Sequence, residues 1–145
     1  MSIGSVSGRY AVGIATVDAL HEECESVLAR LHAAVASGGD ASAELAAVHD
    51  HLVRHFEHEE LLLMRSAAPS CACHMREHAS VLEVMVEVRR RYAEGDRAPA
   101  ARLAEAIFEW LDTHAHSMDA ALAQDLHALG ADRDAKDSDR SLGAA

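Results

Sequence analysis

Four stretches of this 145-residue chain place apolar side chains at alternating three- and four-residue steps, and histidine or glutamate interrupts three of those stripes near one end and the fourth near its close. Such stepping is that of a helix turning one face inward. The first stripe reads Val17, His21, Cys24, Leu28, Leu31, Val35, and the second Leu45, Val48, Leu52, His55, Glu59, Leu62. The third reads His74, His78, Val81, Met85, Val88, Tyr92, and the fourth Leu103, Ile107, Trp110, His114, Met118. Taking an ionisable group out of water costs several kcal/mol when nothing pairs with it. Five histidines and a carboxylate inside one small core therefore need something to bind, and a metal is the simplest compensation.

The punctuation between stripes predicts an all-α chain. Residues 1–17, with Gly, Ser and the run Tyr10-Ala11-Val12-Gly13-Ile14, read as an N-terminal arm, and Asp18 as the N-cap of the first helix. Gly38-Gly39 stops that helix near Ser37. Asp40 or Ser42 caps the second, which runs to about Arg65, and Pro69-Ser70 breaks the chain. The third helix spans Cys71 to about Ala93, with Ser70 as its cap, and Glu94-Gly95-Asp96 ends it. Pro99 suits the first turn of the fourth, which reaches His114 at least and extends toward Leu129 ahead of Gly130. Residues 130–145 are small and charged, the composition of a frayed, flexible tail. Short connections make residues 18–129 an up-down-up-down four-helix bundle.

That topology brings the polar interruptions to one end. His21 opens the first helix, His55 and Glu59 lie late in the second, His74 and His78 open the third, and His114 lies well down the fourth. At about 1.5 Å of rise per residue they differ in height by a turn or two. His55/Glu59 and His74/His78 are i, i+4 pairs, so both members of each face the same way. Asp119 is five residues beyond His114, about 140° round an ideal helix, and reaches the same place only if the helix kinks, loosens or ends there.

Five imidazoles and two carboxylates exceed what one zinc ion takes, and suit two ions such as iron with bridging carboxylates and terminal imidazoles. No Glu is followed by His three residues later, and no His-Glu-x-x-His occurs, so the carboxylate-rich di-iron bundle and zinc-protease patterns are absent. A net charge of −11 disfavours nucleic acid and anionic membrane surfaces as partners. The run Leu61-Leu62-Leu63-Met64 is too short to span a bilayer, and the first fifteen residues lack the basic start and apolar core of a secretory signal. Three cysteines, with Cys71 and Cys73 too close to bridge without strain, point to a reduced, cytoplasmic setting. Cys71-Ala72-Cys73-His74 offers a soft-metal alternative that is one ligand short of a tetrahedral site. Of the other histidines, His51, one turn before His55, offers a spare ligand but reads rather as a flank residue, His58 and His116 as exposed neighbours of ligands, and His32, His49 and His127 carry no signal.

Taken jointly, these spacings resemble the bacterial hemerythrins. The features that carry the resemblance are the arm Tyr10-Ala11-Val12-Gly13-Ile14 with Asp18-x-x-His21, then His55-Phe56-x-x-Glu59-Glu60 with Met64, His74-x-x-x-His78, and Trp110-Leu111-x-x-His114 with Asp119. They cover about residues 9–122. The resemblance implies one iron on His74, His78 and His114 and a second on His21 and His55, bridged by Glu59, Asp119 and an oxo or hydroxo group. It also implies an open position on the two-histidine iron where molecular oxygen binds reversibly, for storage, transport or sensing rather than catalysis. Phe56, Trp110 and Leu111 would be the apolar wall of that pocket, as well as core together with Met64. The chain departs from the family at Ala115, where a bulky aliphatic residue is usual, and at Leu20, where a polar one is common. A small Ala115 beside the pocket would admit water and hasten oxidation. That leaves open the alternative of a di-iron enzyme consuming peroxide, nitric oxide or oxygen.

Overall fold

The computed structural model describes residues 8–66 and 71–130. Four α-helices follow one another: α1 (Ala15–Ala36), α2 (Ser42–Ser66), α3 (Cys71–Ala93) and α4 (Ala98–His114). A π-helical turn, Ala115–Asp119, continues α4, and residues 120–130 resume the α-helix. There is no strand among the described residues, and none of their helices is long and apolar enough to cross a membrane.

Each helix packs on two neighbours, α1 on α2 and α4, and α3 on α2 and α4. Contacts between the helix ends give their directions. Tyr92, at the end of α3, accepts the Ala41 N–H at 2.8 Å just before α2 begins. Arg97, just ahead of α4, donates to the Gly39 carbonyl at 3.3 Å just after α1 ends. Adjacent helices therefore run antiparallel, the expected up-down-up-down order. Between the two ends lies an oily core that includes Leu28, Leu31, Leu45, Leu52, Met85, Leu103 and Leu111. Fully burying each of these larger side chains is worth about 1.5–3 kcal/mol.

The connections obey simple backbone rules. Gly38 takes φ 77°, the left-handed conformation that closes α1, and its N–H reaches the Val35 carbonyl at 3.1 Å. Asp40 accepts the Ser42 N–H at 3.1 Å at the mouth of α2. Ser70, Pro69 and most of the predicted tail lie outside the described residues.

Three expectations need correction. The first helix begins at Ala15, three residues before Asp18, so Asp18 is not its N-cap. Its carboxylate instead reaches back and accepts the N–H groups of Val12 at 2.7 Å and Gly13 at 3.3 Å, pinning the arm to α1. In α2 the stripe passes from Glu59 to Leu63, which is fully buried, while Leu62 is only partly so. A four-residue step turns Leu63 about 40° from Glu59, whereas Met64, about 140° away, faces outward and is 61% exposed. Met64 is therefore not core. His51, read as a flank residue, is completely buried.

Asp18→Ala should lower unfolding stability by about 1–2 kcal/mol, because two charge-assisted hydrogen bonds are lost together. Thermal melting checks this, with the exposed His32→Ala as the unchanged control.

Candidate metal centre

All seven residues singled out by spacing and resemblance meet at one end of the bundle, each 1% exposed or less. Asp119 joins them because of the π-turn. There the Ala120 N–H bonds to the Ala115 carbonyl five residues back, widening the helix so that residue 119 swings under residue 114. The loosening that an ideal helical wheel required is present in the backbone.

The carboxylates divide the histidines into two sets. Glu59 Oε1 lies 2.6 Å from His55 Nε2 and 3.6 Å from His21 Nε2. Glu59 Oε2 lies 3.0 Å from His78 Nε2, 3.5 Å from His74 Nε2 and 4.0 Å from His114 Nε2. Asp119 repeats the division: Oδ2 is 2.9 Å from His21 Nε2, and Oδ1 is 2.9 Å from His74 Nε2 and 3.1 Å from His114 Nε2. Every imidazole presents its Nε2 inward. Each carboxylate has one oxygen in a two-histidine half and the other in a three-histidine half.

Several of these atoms are close without being hydrogen-bonded. Glu59 Oε2, Asp119 Oδ1 and His74 Nε2 are buried and make no aligned hydrogen bond. Bare lone pairs held at ion-ligand range but not aimed at one another are what a bound cation would satisfy. One ligand atom each from Glu59, His74, His78, His114 and Asp119 falls within a 4.8 Å cluster, and His21, His55 and Glu59 supply a second. The donor set therefore fits two borderline ions.

Backing contacts orient the rings. His21 Nδ1–H donates to the Tyr10 carbonyl at 2.7 Å, so the arm that Asp18 pins down also sets a ligand. His78 Nδ1–H points to Glu60 Oε1 at 3.4 Å, and His114 Nδ1 lies 3.5 Å from Glu77 Oε1. His55 Nδ1 is 3.0 Å from His51 Nε2. Tyr10 and Glu60 belong to the stretches that carry the resemblance, and the spacing of His51 one turn before His55 marks it as a neighbour of that ligand; Glu77 carries no sequence signal.

Phe56 stacks on His78 at 4.0 Å and 3° between planes, and its ring centroid lies 5.5 Å from that of His55, so it borders both halves. Trp110 stacks on His114 at 4.2 Å and meets Phe56 edge-on at 5.7 Å. Leu111 and Ala115 are buried in the adjoining core. As expected, His58 and His116 point elsewhere, to Thr16 Oγ1 and the Arg9 carbonyl. His74 faces inward, and no candidate metal cluster among the described residues includes Cys71 or Cys73, which leaves the soft-metal alternative without its histidine.

An all-helical bundle with five imidazoles and two carboxylates converging at one end defines a cation-binding helical bundle. The chain belongs to the hemerythrin family: the hemerythrin HHE cation binding domain matches residues 12–126. It is 35% identical over 121 residues to a protein of Ralstonia nicotianae called bacteriohemerythrin, covering 83% of this chain and 87% of that one. A second bacteriohemerythrin, from Methylococcus capsulatus, is 21% identical over 115 residues, covering 78% and 88%. No solved structure matches it significantly.

With no ion bound, protons are the available cations. Burial alone would lower the proton affinity of His21 and His114, but the adjacent carboxylates of Asp119 and Glu59 override it and raise them to about 10 and about 9. His74 is raised for the same reasons. Burial would raise Glu59 and Asp119, and the surrounding histidines instead hold both well below the ordinary carboxylate range. The imidazolium contribution is complete below the unfolded value near 6.5 and is lost as pH climbs through about 9–10; the carboxylate contribution is lost on the acid side. The melting temperature of chelator-treated protein should therefore fall as pH rises from about 6.5 through about 10, the range between the ordinary imidazole value and those raised values. Divalent metal should abolish that alkaline decline, since an ion needs the imidazoles neutral. Differential scanning calorimetry with and without metal checks both limbs.

Proposed function

We propose that the chain holds two iron ions and binds molecular oxygen reversibly. The observation that carries this is the division of both carboxylates between the two halves, one oxygen of Glu59 and of Asp119 on each side. On this reading His74, His78 and His114 hold one iron, His21 and His55 the other, and Glu59 and Asp119 bridge them with an oxo or hydroxo group. Two ferrous ions would supply the electrons that oxygen binding needs, and with only His21 and His55 as imidazole ligands the second half would be the one left with an open position.

The chain's own residues account for reversibility. On this reading Phe56, which borders both halves, would form the apolar wall with Trp110 and Leu111 and limit access of water and proton donors, with the small Ala115 as its weak point. Burial of all seven ligands restrains exchange with solvent. Proton delivery favours cleavage and loss of reduced oxygen, so a dry wall favours release of the intact gas. The names of the two relatives supply independent support for a bacterial hemerythrin activity.

Stopped-flow mixing of the ferrous protein with oxygen should give a long-lived coloured adduct that argon reverses. Immediate conversion to ferric protein with peroxide turnover would instead identify a di-iron enzyme and overturn this reading. His55→Ala should halve the iron content and abolish oxygen binding, as measured by iron assay and absorption spectroscopy; retention of both irons would contradict the assignment of His55.

A further inference from the structure

His51 is fully buried, one turn before His55, and is not among the seven residues proposed to hold metal. Its Nε2 lies 3.0 Å from His55 Nδ1, the two rings meeting edge to face at 5.1 Å and 76°. Its Nδ1 lies 3.4 Å from Glu23 Oε1, and that same oxygen accepts from Arg54 Nη2 at 2.9 Å at the surface between α1 and α2. On its inner side His55 presents Nε2 to Glu59 at 2.6 Å. A line of close contacts thus runs from a surface ion pair to the two-histidine half. It crosses the 3.4 Å gap from Glu23 to His51, where no aligned hydrogen bond forms, and then two imidazoles set edge to face.

We infer that Glu23 and His51 are positioning residues that lock the tautomer and orientation of His55, and so set the metal affinity of the two-histidine half. The inference rests on the two-metal reading above. An imidazole that offers the Nε2 lone pair to a cation must carry its proton on Nδ1, and that proton needs an acceptor. His51 Nε2 is the acceptor placed for it. To accept there, His51 must carry its own proton on Nδ1, where the Glu23 carboxylate faces it. Arg54 holds that carboxylate in place. Each proton position fixes the next, from the surface inward.

The other member of the two-histidine half is fixed differently. His21 donates to the Tyr10 backbone carbonyl, which can only accept, so its tautomer follows from the chain itself. His55 depends on side chains that substitution can remove. Cys24 lies within ligand range of both His51 and His55. Burial pushes its thiol up to about 12, however, and the two imidazole nitrogens are engaged with each other. The trio therefore acts as a brace rather than as a third ion site.

The experiment is an anaerobic titration of chelator-treated protein with Co(II), followed by its visible absorption bands and by equilibrium dialysis. Wild type should take two Co(II) per chain. In His51→Leu the second ion should bind about 10–100-fold more weakly and the first with unchanged affinity. His51→Gln, whose amide carbonyl can accept the His55 proton, should restore most of the loss, and Glu23→Gln should show a smaller loss of the same kind. Selective weakening of one ion, with rescue by Gln, separates positioning from general destabilisation, and Glu23→Gln serves if the Leu variant does not fold. Equal affinity for both ions in the Leu and Glu23→Gln variants would overturn the inference and leave the two-metal reading standing. A His51→Gln loss as large as that of Leu would also overturn it. Fewer than two Co(II) in wild type would instead sink the two-metal reading.

Discussion

Two carboxylates, Glu59 and Asp119, lie wholly inside a helical interior, and the rest of the molecule is arranged around that fact. Neither could remain charged there alone, because the desolvation penalty for a buried carboxylate is several kcal/mol. Five inward-facing imidazoles surround them, and these can supply either protons or a share of two metal ions. A bundle built on apolar seams tolerates such a cluster only at one end, where the helices need not close tightly on each other. The opposite end is accordingly ordinary, held by leucines and by the Tyr92 and Arg97 contacts across the loops.

The polar end has less apolar cohesion, and other devices hold it together. The arm lies across the start of α1, fastened by Asp18 to Val12 and Gly13 and by His116 to Arg9. Its Tyr10 carbonyl then fixes His21. At the end of α4 the π-turn gives up regular helical winding so that Asp119 can face His21 and His74. A π-turn stretches the regular i→i−4 pattern, so it persists only where the gain at the site outweighs the loss in the helix. Here that gain is the second carboxylate of the cluster, set between His21 and His74.

Much of this was legible in the residues before any coordinates. The alternating three- and four-residue steps located four helices, and the i, i+4 pairs His55/Glu59 and His74/His78 placed their members on common faces. Local periodicity is a strong signal when helices are long and the seam is clean. It failed where geometry departed from the ideal. Asp119 is off the seam on a regular wheel, and only resemblance to a family brought it in. The α2 stripe points to Leu62 where the final step is four residues and not three, and Met64 enters the core only by resemblance, five residues from Glu59 and facing outward. Asp18 was read as a cap, since a sequence does not show that the chain ahead of a helix folds back upon it. His51 reads as a flank residue or a spare ligand, although the i, i+4 spacing to His55 is what places it behind that ring.

The two halves of the cluster are braced by different physics, and the difference bears on which half can change. Stacked aromatic rings mark the three-histidine half, Phe56 lying flat on His78 and Trp110 on His114, with a long Nδ1 contact from His78 to Glu60 at 3.4 Å. Stacking fixes the plane of an imidazole over a broad area but is indifferent to where its proton sits. Hydrogen bonds at Nδ1 hold the two-histidine half, from Tyr10 to His21 and from His51 to His55. A hydrogen bond fixes both the direction of a ring and its tautomer, and so controls how strongly Nε2 donates to a cation. On the proposed reading the open coordination position belongs to this second half. On that reading a directional brace that reaches through Glu23 to the surface would hold the donation of His55 fixed independently of the stacked half.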